Sequence, residues 1–306
     1  MVAGVRLGML GFSPGNGHPF SFSAILNGYD PDAMRAAGWP VIADYLDRQD
    51  RGDIGLPGAT VVAAWTPDGD LTAALCKASR IDRAAPSPDA MVEMVDAAII
   101  ARDDWESHLA LAFPFLEAGK PVFVDKPLTL SPAELARFRP YLDRGLVMTC
   151  SGMRFCRELD AIRARPDMIG RLRLVSGTVL NDFPRYGVHL LEAAIPVLGE
   201  VPRPVSAFAR NGAAHVLLET ASGVAVSIHT LGRTPGFFRL ALFGDDGAVE
   251  VTLADNFTAF RRMLSRFVTQ VRTGEPAIAP AETAAIIETV IAVEDMLGRQ
   301  PAGGGG

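Results

Sequence analysis

The alternation of apolar and polar positions changes character near the middle of the chain. In the first half, short unbroken apolar runs alternate with stretches whose apolar residues recur at helical spacing. Val5 to Leu10, Thr60 to Trp65, Asp96 to Ala101, Val122 to Val124 and Leu146 to Cys150 read as buried strands. Between them the pattern predicts helices over about Phe20 to Leu26, from after Asp68 to Ala78, Asp89 to Val95, Trp105 to Ala118 and Pro132 to Arg144, the last capped by Ser131. Strands buried on both faces are continuously apolar, so this strand–helix alternation predicts a doubly wound parallel sheet.

The second half is built from closely spaced strand patterns: Arg171 to Leu180, Pro204 to Arg210, His215 to Thr220, Val224 to Leu231, Phe238 to Phe243 and Ala248 to Thr252. Ala221-Ser222-Gly223 and Gly244-Asp245-Asp246-Gly247 have hairpin-turn composition, which predicts an antiparallel sheet. One helix is predicted from Val188 to Leu198, and two more, Phe257 to Arg272 and Ala281 to Leu297, follow the sheet. The predicted class is α/β: an N-terminal Rossmann-type parallel sheet, then a C-terminal α+β domain with an open, mostly antiparallel sheet. The predicted limits are 1–150 for a dinucleotide-binding domain, 151–300 for a substrate-binding and oligomerisation domain, and 301–306 for a disordered tail.

Composition narrows the function classes. The chain of 306 residues is 49% hydrophobic with a formal net charge of -6 and no basic run, which argues against a nucleic-acid or anionic-membrane partner. No apolar stretch reaches membrane-spanning length and the start lacks a leader pattern, so a cytoplasmic protein is expected. Cys76, Cys150 and Cys156 are too few for a disulfide framework, and the five histidines show no metal-ligand spacing, so no metal is expected.

Candidate chemistry begins after the first strand. Gly11-Phe12-Ser13-Pro14-Gly15-Asn16-Gly17-His18 is a glycine-rich loop entering a helix, a place where backbone amides can receive a pyrophosphate; Pro14 to Gly17 also suits a plain tight turn. At the fifth strand, Val122 to Val124 delivers Asp125 and Lys126, and Pro127 stops the strand. A lysine fixed at the carboxyl end of a buried strand faces the crevice where open α/β sheets bind ligands. Farther on, a helix opens with Gly187-Val188-His189-Leu190-Leu191-Glu192.

These features together resemble the Gfo/Idh/MocA family of sugar and cyclitol oxidoreductases over nearly the whole chain. Asp125-Lys126-Pro127 is similar to that family's Glu-Lys-Pro motif with the acid shortened by one methylene, and His108 to Pro127 is the most specific match. Arg154-Phe155 and the helix bearing His189 and Glu192 resemble two further family features. The resemblance implies an NAD(P)-dependent enzyme acting on a hydroxyl or keto carbon of a sugar, sugar derivative or cyclitol, with Lys126 and His189 catalytic. It implies cofactor contacts from Gly11, Ser13, Gly15, Asn16, Gly17, His18, Thr66, Asp68, Asp125 and Lys126, and a homodimer or homotetramer. Implied substrate contacts are Lys126, Arg154, Arg185, Tyr186, His189 and Glu192. His18 serves either the helix start or the cofactor; Glu192 orients the imidazole, binds hydroxyls or is a solvated helix residue; Tyr186 is a spare proton donor or a packing residue.

Three departures bear on the chemistry. The glycine spacing differs from Gly-x-Gly-x-x-Gly, with Ser13 and Asn16 at the second and third positions. Thr66 stands at the end of the second strand where NAD enzymes carry a ribose-binding acid, which leans toward NADP or dual use. Arg185 stands four residues before His189, where many members pair an aspartate with the histidine; Arg185 instead suits a substrate anion, and Asp182 is near enough in sequence to supply a carboxylate. Two alternatives follow: an enzyme that uses the cofactor transiently for elimination or epimerisation, and a non-catalytic ligand-binding protein.

Overall fold

In the computed structural model, which describes residues 4–298, the chain resolves into two compact units. One comprises the chain up to Thr129, Ala133–Thr149 and Phe260–Pro280; the other comprises Leu130–Pro132, Cys150–Ala259 and the chain from Ala281. The terminal run 301–306 lies outside the described residues.

In the first unit the chain runs through β1 (Val5–Leu10), α1 (His18–Asn27), α2 (Pro31–Ala36), α3 (Pro40–Leu46), β2 (Ala59–Trp65), α4 (Gly69–Ala78), β3 (Arg83–Ala84), α5 (Pro88–Val92) and β4 (Ala97–Ile100). It continues through α6 (His108–Glu117), β5 (Val122–Val124), α7 (Pro132–Asp143) and β6 (Val147–Met148). The six strands form one parallel sheet, as the alternating pattern predicts, and its order is β3-β2-β1-β4-β5-β6. All residues of β4 and β5 are buried, which explains their unbroken apolar sequence.

The helices α2 and α3 are an excursion the hydrophobic pattern did not predict. Each is under eight residues and opens on a proline; Asp30 caps α2 by accepting from the Ala33 amide at 2.9 Å. Trp39, between them, meets Phe12 edge-on at 6.3 Å and Phe20 at 5.8 Å, so the excursion folds back over the glycine-rich loop.

The second unit contains α8 (Asp160–Ala164), β7 (Leu172–Val179), α9 (Val188–Leu198), β8 (Arg203–Arg210), β9 (Ala213–Glu219), β10 (Ala225–Thr230), β11 (Phe238–Gly244), β12 (Ala248–Thr252) and α11 (Pro280–Gly298). The helix α10 (Asn256–Thr273) begins here, and from Phe260 its residues belong to the first unit. The sheet runs β12-β11-β7-β10-β9-β8 and is antiparallel except between β7 and β10. That exception follows from connectivity: two hairpin reversals after β8 return β10 in the direction of β7.

Alternation along the strands turns Val175, Val179, Val226, Ile228, Leu240 and Leu242 toward a core shared with Leu190, Leu191 and Ile195 of α9. Gly177 admits α9 closely, since a Cβ there would lie 2.8 Å from Leu190. On the opposite strand faces Phe208, Leu217 and Phe243 are exposed, and His215 and His229 pair through their Nδ1 atoms at 2.9 Å. Among the described residues no helix is long and apolar enough to cross a membrane.

Candidate active site

Each unit buries a group of polar side chains beside a loop. In the first, β5 is enclosed on both faces, so the residues that follow it are held inside: Asp125 is 2% exposed and Lys126 6%. The Asp125 amide donates to Ile100 O at 2.9 Å, extending the parallel ladder past the strand end. Asp125 Oδ1 accepts from the Lys126 amide at 2.9 Å, while Oδ2 accepts from Asn16 Nδ2 at 3.3 Å and lies 2.5 Å from His18 Nδ1. Burial alone would push this carboxyl up, but the charge and hydrogen bond of His18, then the charge of Lys126, reverse that and hold Asp125 well below the usual carboxylate range.

The glycine-rich loop is shaped by its own packing. A Cβ on Gly11 would lie 2.6 Å from Pro19, and one on Gly17 would lie 2.8 Å from both Ile42 and Trp39. Gly15 has φ +82 and open space beside it. Asn16 Oδ1 accepts from the His18 amide at 2.9 Å, so Asn16 closes the start of α1 and leaves the His18 ring for Asp125. Ser13 donates to Asp103 Oδ1 and accepts from the Asp103 amide at 3.2 Å. The side chains of Ser13 and Asn16 therefore hold the loop in place, against Asp103, Asp125 and the start of α1. Among the described residues the Gly15 and Gly17 amides have no protein acceptor, which suits a loop that receives a pyrophosphate through its backbone.

At the end of β2, Thr66 is buried and its hydroxyl donates to Asp68 O at 2.6 Å; Asp68 Oδ1 caps α4 by accepting from the Leu71 amide at 3.0 Å. Both side chains, implied as cofactor contacts, also make hydrogen bonds within this turn. His108 is fully buried, with Nδ1 3.0 Å from Leu128 O and Nε2 2.9 Å from Arg102 O. It ties the loop after β4 to the residues after Lys126.

In the second unit a π-helical turn, Phe183–Gly187, feeds α9. Gly187 has no room for a side chain, since a Cβ would lie 2.4 Å from the Phe183 ring, and His189 follows in the first turn of α9. The imidazole is 8% exposed, with Tyr186 and Phe238 meeting it edge-on at 5.8 Å and 5.5 Å. His189 Nδ1 lies 2.6 Å from Ser151 Oγ. Ser151 was not singled out in the sequence, because 38 positions separate the two and no motif joins them.

Glu192, one turn along α9, does not touch the imidazole among the described contacts. It accepts from Arg154 at 2.8 Å and from the Ser151 amide, and Arg154 also donates to Glu282. Burial pushes the Glu192 carboxyl up, while Arg154 partly offsets the shift. Arg154 is thus a largely buried cation held between two carboxylates. Asp182 caps the π turn through the Arg185 amide at 2.9 Å and pairs with Arg185 Nε at 3.0 Å, on the exposed side of that turn.

Residues 38–144 match the family model described as an oxidoreductase family with an NAD-binding Rossmann fold. This stretch carries β2 through β5 with His108, Asp125 and Lys126. That model is the Gfo/Idh/MocA one, so the match is to this family over the part of the first unit that carries the lysine motif. Solved structures similar to the chain share its fold over nearly their full lengths. A myo-inositol dehydrogenase from Corynebacterium glutamicum is 17% identical with a TM-score of 0.74, covering 98% of this chain and 100% of its own. A scyllo-inositol dehydrogenase from Lactobacillus casei with bound NAD(H) and scyllo-inositol is 13% identical with a TM-score of 0.76, covering 97% of each. GenD2 from gentamicin A biosynthesis, in complex with NAD, is 15% identical with a TM-score of 0.74, covering 98% of this chain and 95% of its own. No curated protein matches the sequence. Against the Gfo/Idh/MocA pattern, the acid of the lysine motif here is a shortened one braced by His18, and the histidine of α9 has a serine at Nδ1.

Proposed function

We propose that the protein is an NAD-dependent oxidoreductase that moves a hydride between nicotinamide and a carbinol or keto carbon of a cyclitol, sugar or sugar derivative. The observation that carries this reading is the enclosure of Lys126 at the carboxyl end of β5, beside a carboxylate kept ionised by His18. Bound NAD supplies the hydride acceptor or donor. The loop from Gly11 to Gly17 offers backbone amides to the pyrophosphate, with Ser13, Gly15, Asn16 and His18 fixing its shape. Asp125 anchors the chain before Lys126, and the catalytic roles are assigned to Lys126 and His189. Tyr186 forms the wall beside the imidazole, and Arg185 stands at its rim for a substrate that carries an anion. Arg154 and Glu192 support His189 from beneath, and Thr66 and Asp68 shape the turn at the adenosine end.

NAD is preferred here to NADP because the family is NAD-binding and two of the related structures hold NAD, while the lean to NADP drawn from Thr66 finds no support among them. The exposed apolar side chains Phe208, Leu217 and Phe243 support a homodimer or homotetramer through the open sheet. The test is a panel of cyclitols and sugars read at the reduced-nicotinamide absorbance, beside thermal shifts with NAD and NADP. A hundredfold excess over the dissociation constant stabilises by about 2.7 kcal/mol. A shift with NAD and turnover of one polyol class are the expected results; no shift with either dinucleotide refutes the reading.

A further inference from the structure

The hydrogen-bond inventory of Ser151 fixes more than the position of His189. Ser151 is 1% exposed and precedes the turn Gly152–Phe155, where its Oγ accepts from the Met153 amide at 3.0 Å. A hydroxyl carries one proton, and a buried one left without an acceptor costs about 1–3 kcal/mol. Among the described residues the acceptor available to the Ser151 proton is His189 Nδ1 at 2.6 Å. If Nδ1 carried the ring proton and donated to Oγ, the serine proton would have nowhere to go. The backbone of Ser151 is itself held, since its amide donates to Glu192, which Arg154 braces.

We infer that Ser151 is a positioning residue that donates to His189 Nδ1 and so fixes the neutral imidazole with its proton on Nε2. Resting on the proposed function, this assigns His189 the part of a hydrogen-bond donor to the reacting oxygen. It does not remove a proton from that oxygen, because Nε2 already carries one. An aspartate partner would do the opposite: a carboxylate accepts from Nδ1–H and leaves Nε2 as a base. With a serine at Nδ1, proton exchange with the substrate oxygen falls to Lys126, and the imidazole stabilises negative charge that builds on that oxygen as the hydride is transferred. The same neutral-donor role is open to a histidine wherever a second group donates to its other nitrogen.

The test reads the tautomer directly and needs no substrate. With histidine labelled by nitrogen-15, and the His189 signals assigned by their loss in His189→Gln, spectra are taken well above the ordinary histidine pKa of about 6.5. The expected result is a pyridine-type Nδ1 and a protonated, pyrrole-type Nε2 in the native protein. Ser151→Thr, which keeps the hydroxyl, is expected to retain that pattern, and Ser151→Asp to reverse it. A protonated Nδ1 in the native protein overturns the inference, as does a folded Ser151→Asp with the native pattern. Should Ser151→Asp fail to fold, the native spectrum alone decides. Turnover of no polyol would remove the proposed function and leave this assignment standing, so the two fail separately.

Discussion

His18 Nδ1 and Asp125 Oδ2 lie 2.5 Å apart, joining the start of α1 to the end of β5 across 107 positions of sequence. His18 also stacks on Phe22 at 4.7 Å and meets Phe260 edge-on at 5.3 Å, so its ring has little freedom to leave the carboxylate. The pair ties the carboxylate that precedes Lys126 to the start of α1, and it gives the glycine-rich loop a fixed exit.

Removing that partner has a defined cost. His18→Ala leaves Asp125 buried with less compensation, and a loss of about 1–3 kcal/mol is expected in urea unfolding at neutral pH. Because the Asp125 carboxyl is held below its unfolded value of 3.8, the stability it contributes is complete above that pH and is lost as the pH falls further. The gap between native protein and variant should therefore narrow in acid. An unchanged gap across that range would mean that Asp125 is not the residue stabilised.

Lys126→Ala separates chemistry from architecture. The substitution shortens a side chain at the end of β5 and leaves the loop amides and Asp125 in place. Turnover is expected to fall by roughly 100-fold or more, while the thermal shift given by NAD persists. Turnover near the native level would strip Lys126 of its assigned role.

Gly17→Ala tests the loop through its packing. The new methyl would have to displace Ile42 and the Trp39 ring, each 2.8 Å from the Cβ position. A cost of about 1–3 kcal/mol is expected in thermal or urea melts, together with weaker NAD binding. At Gly15 the neighbouring space is open, so alanine there meets only the backbone penalty of its positive φ.

Glu294 offers a pH signature in the second unit. Burial, and after it the negative charge of Asp182, pushes its carboxyl from 4.5 up to about 7. The folded state thus holds a proton that the unfolded chain releases, and stability is lost as the pH rises from 4.5 through about 7. Glu294→Gln should raise the melting temperature in mildly alkaline buffer and change it little near pH 4.5. An equal gain at both ends would contradict the titration.

Much of the architecture was legible because it follows from local pattern. The strand Val122–Val124, the strand Ala248–Thr252 and the helix Val188–Leu198 lie where their apolar runs and flanking Pro or Gly residues place them. Asp125 and Lys126 were legible for the same reason, since a strand that ends in charged residues and a proline declares its own terminus. The helices α2 and α3 were not: six and seven residues carry too little periodicity, and their register depends on Trp39 finding the loop.

Long-range polar pairings were the other loss. Nothing in sequence joins Ser151 to His189 or His18 to Asp125, because such contacts are fixed by where the elements pack. Thr66 shows the reverse case. Its position at the end of β2 declares itself in sequence, while the local bonds of its hydroxyl to Asp68 O and Thr72 appear only in the fold.

Trp39 leaning on Gly17 makes the excursion between α1 and β2 and the phosphate-type loop a single mutational unit. Insertions or deletions far along that surface segment should be tolerated wherever the indole keeps its seat, and should disturb nucleotide affinity wherever it does not. An engineer trimming this protein would have to begin elsewhere.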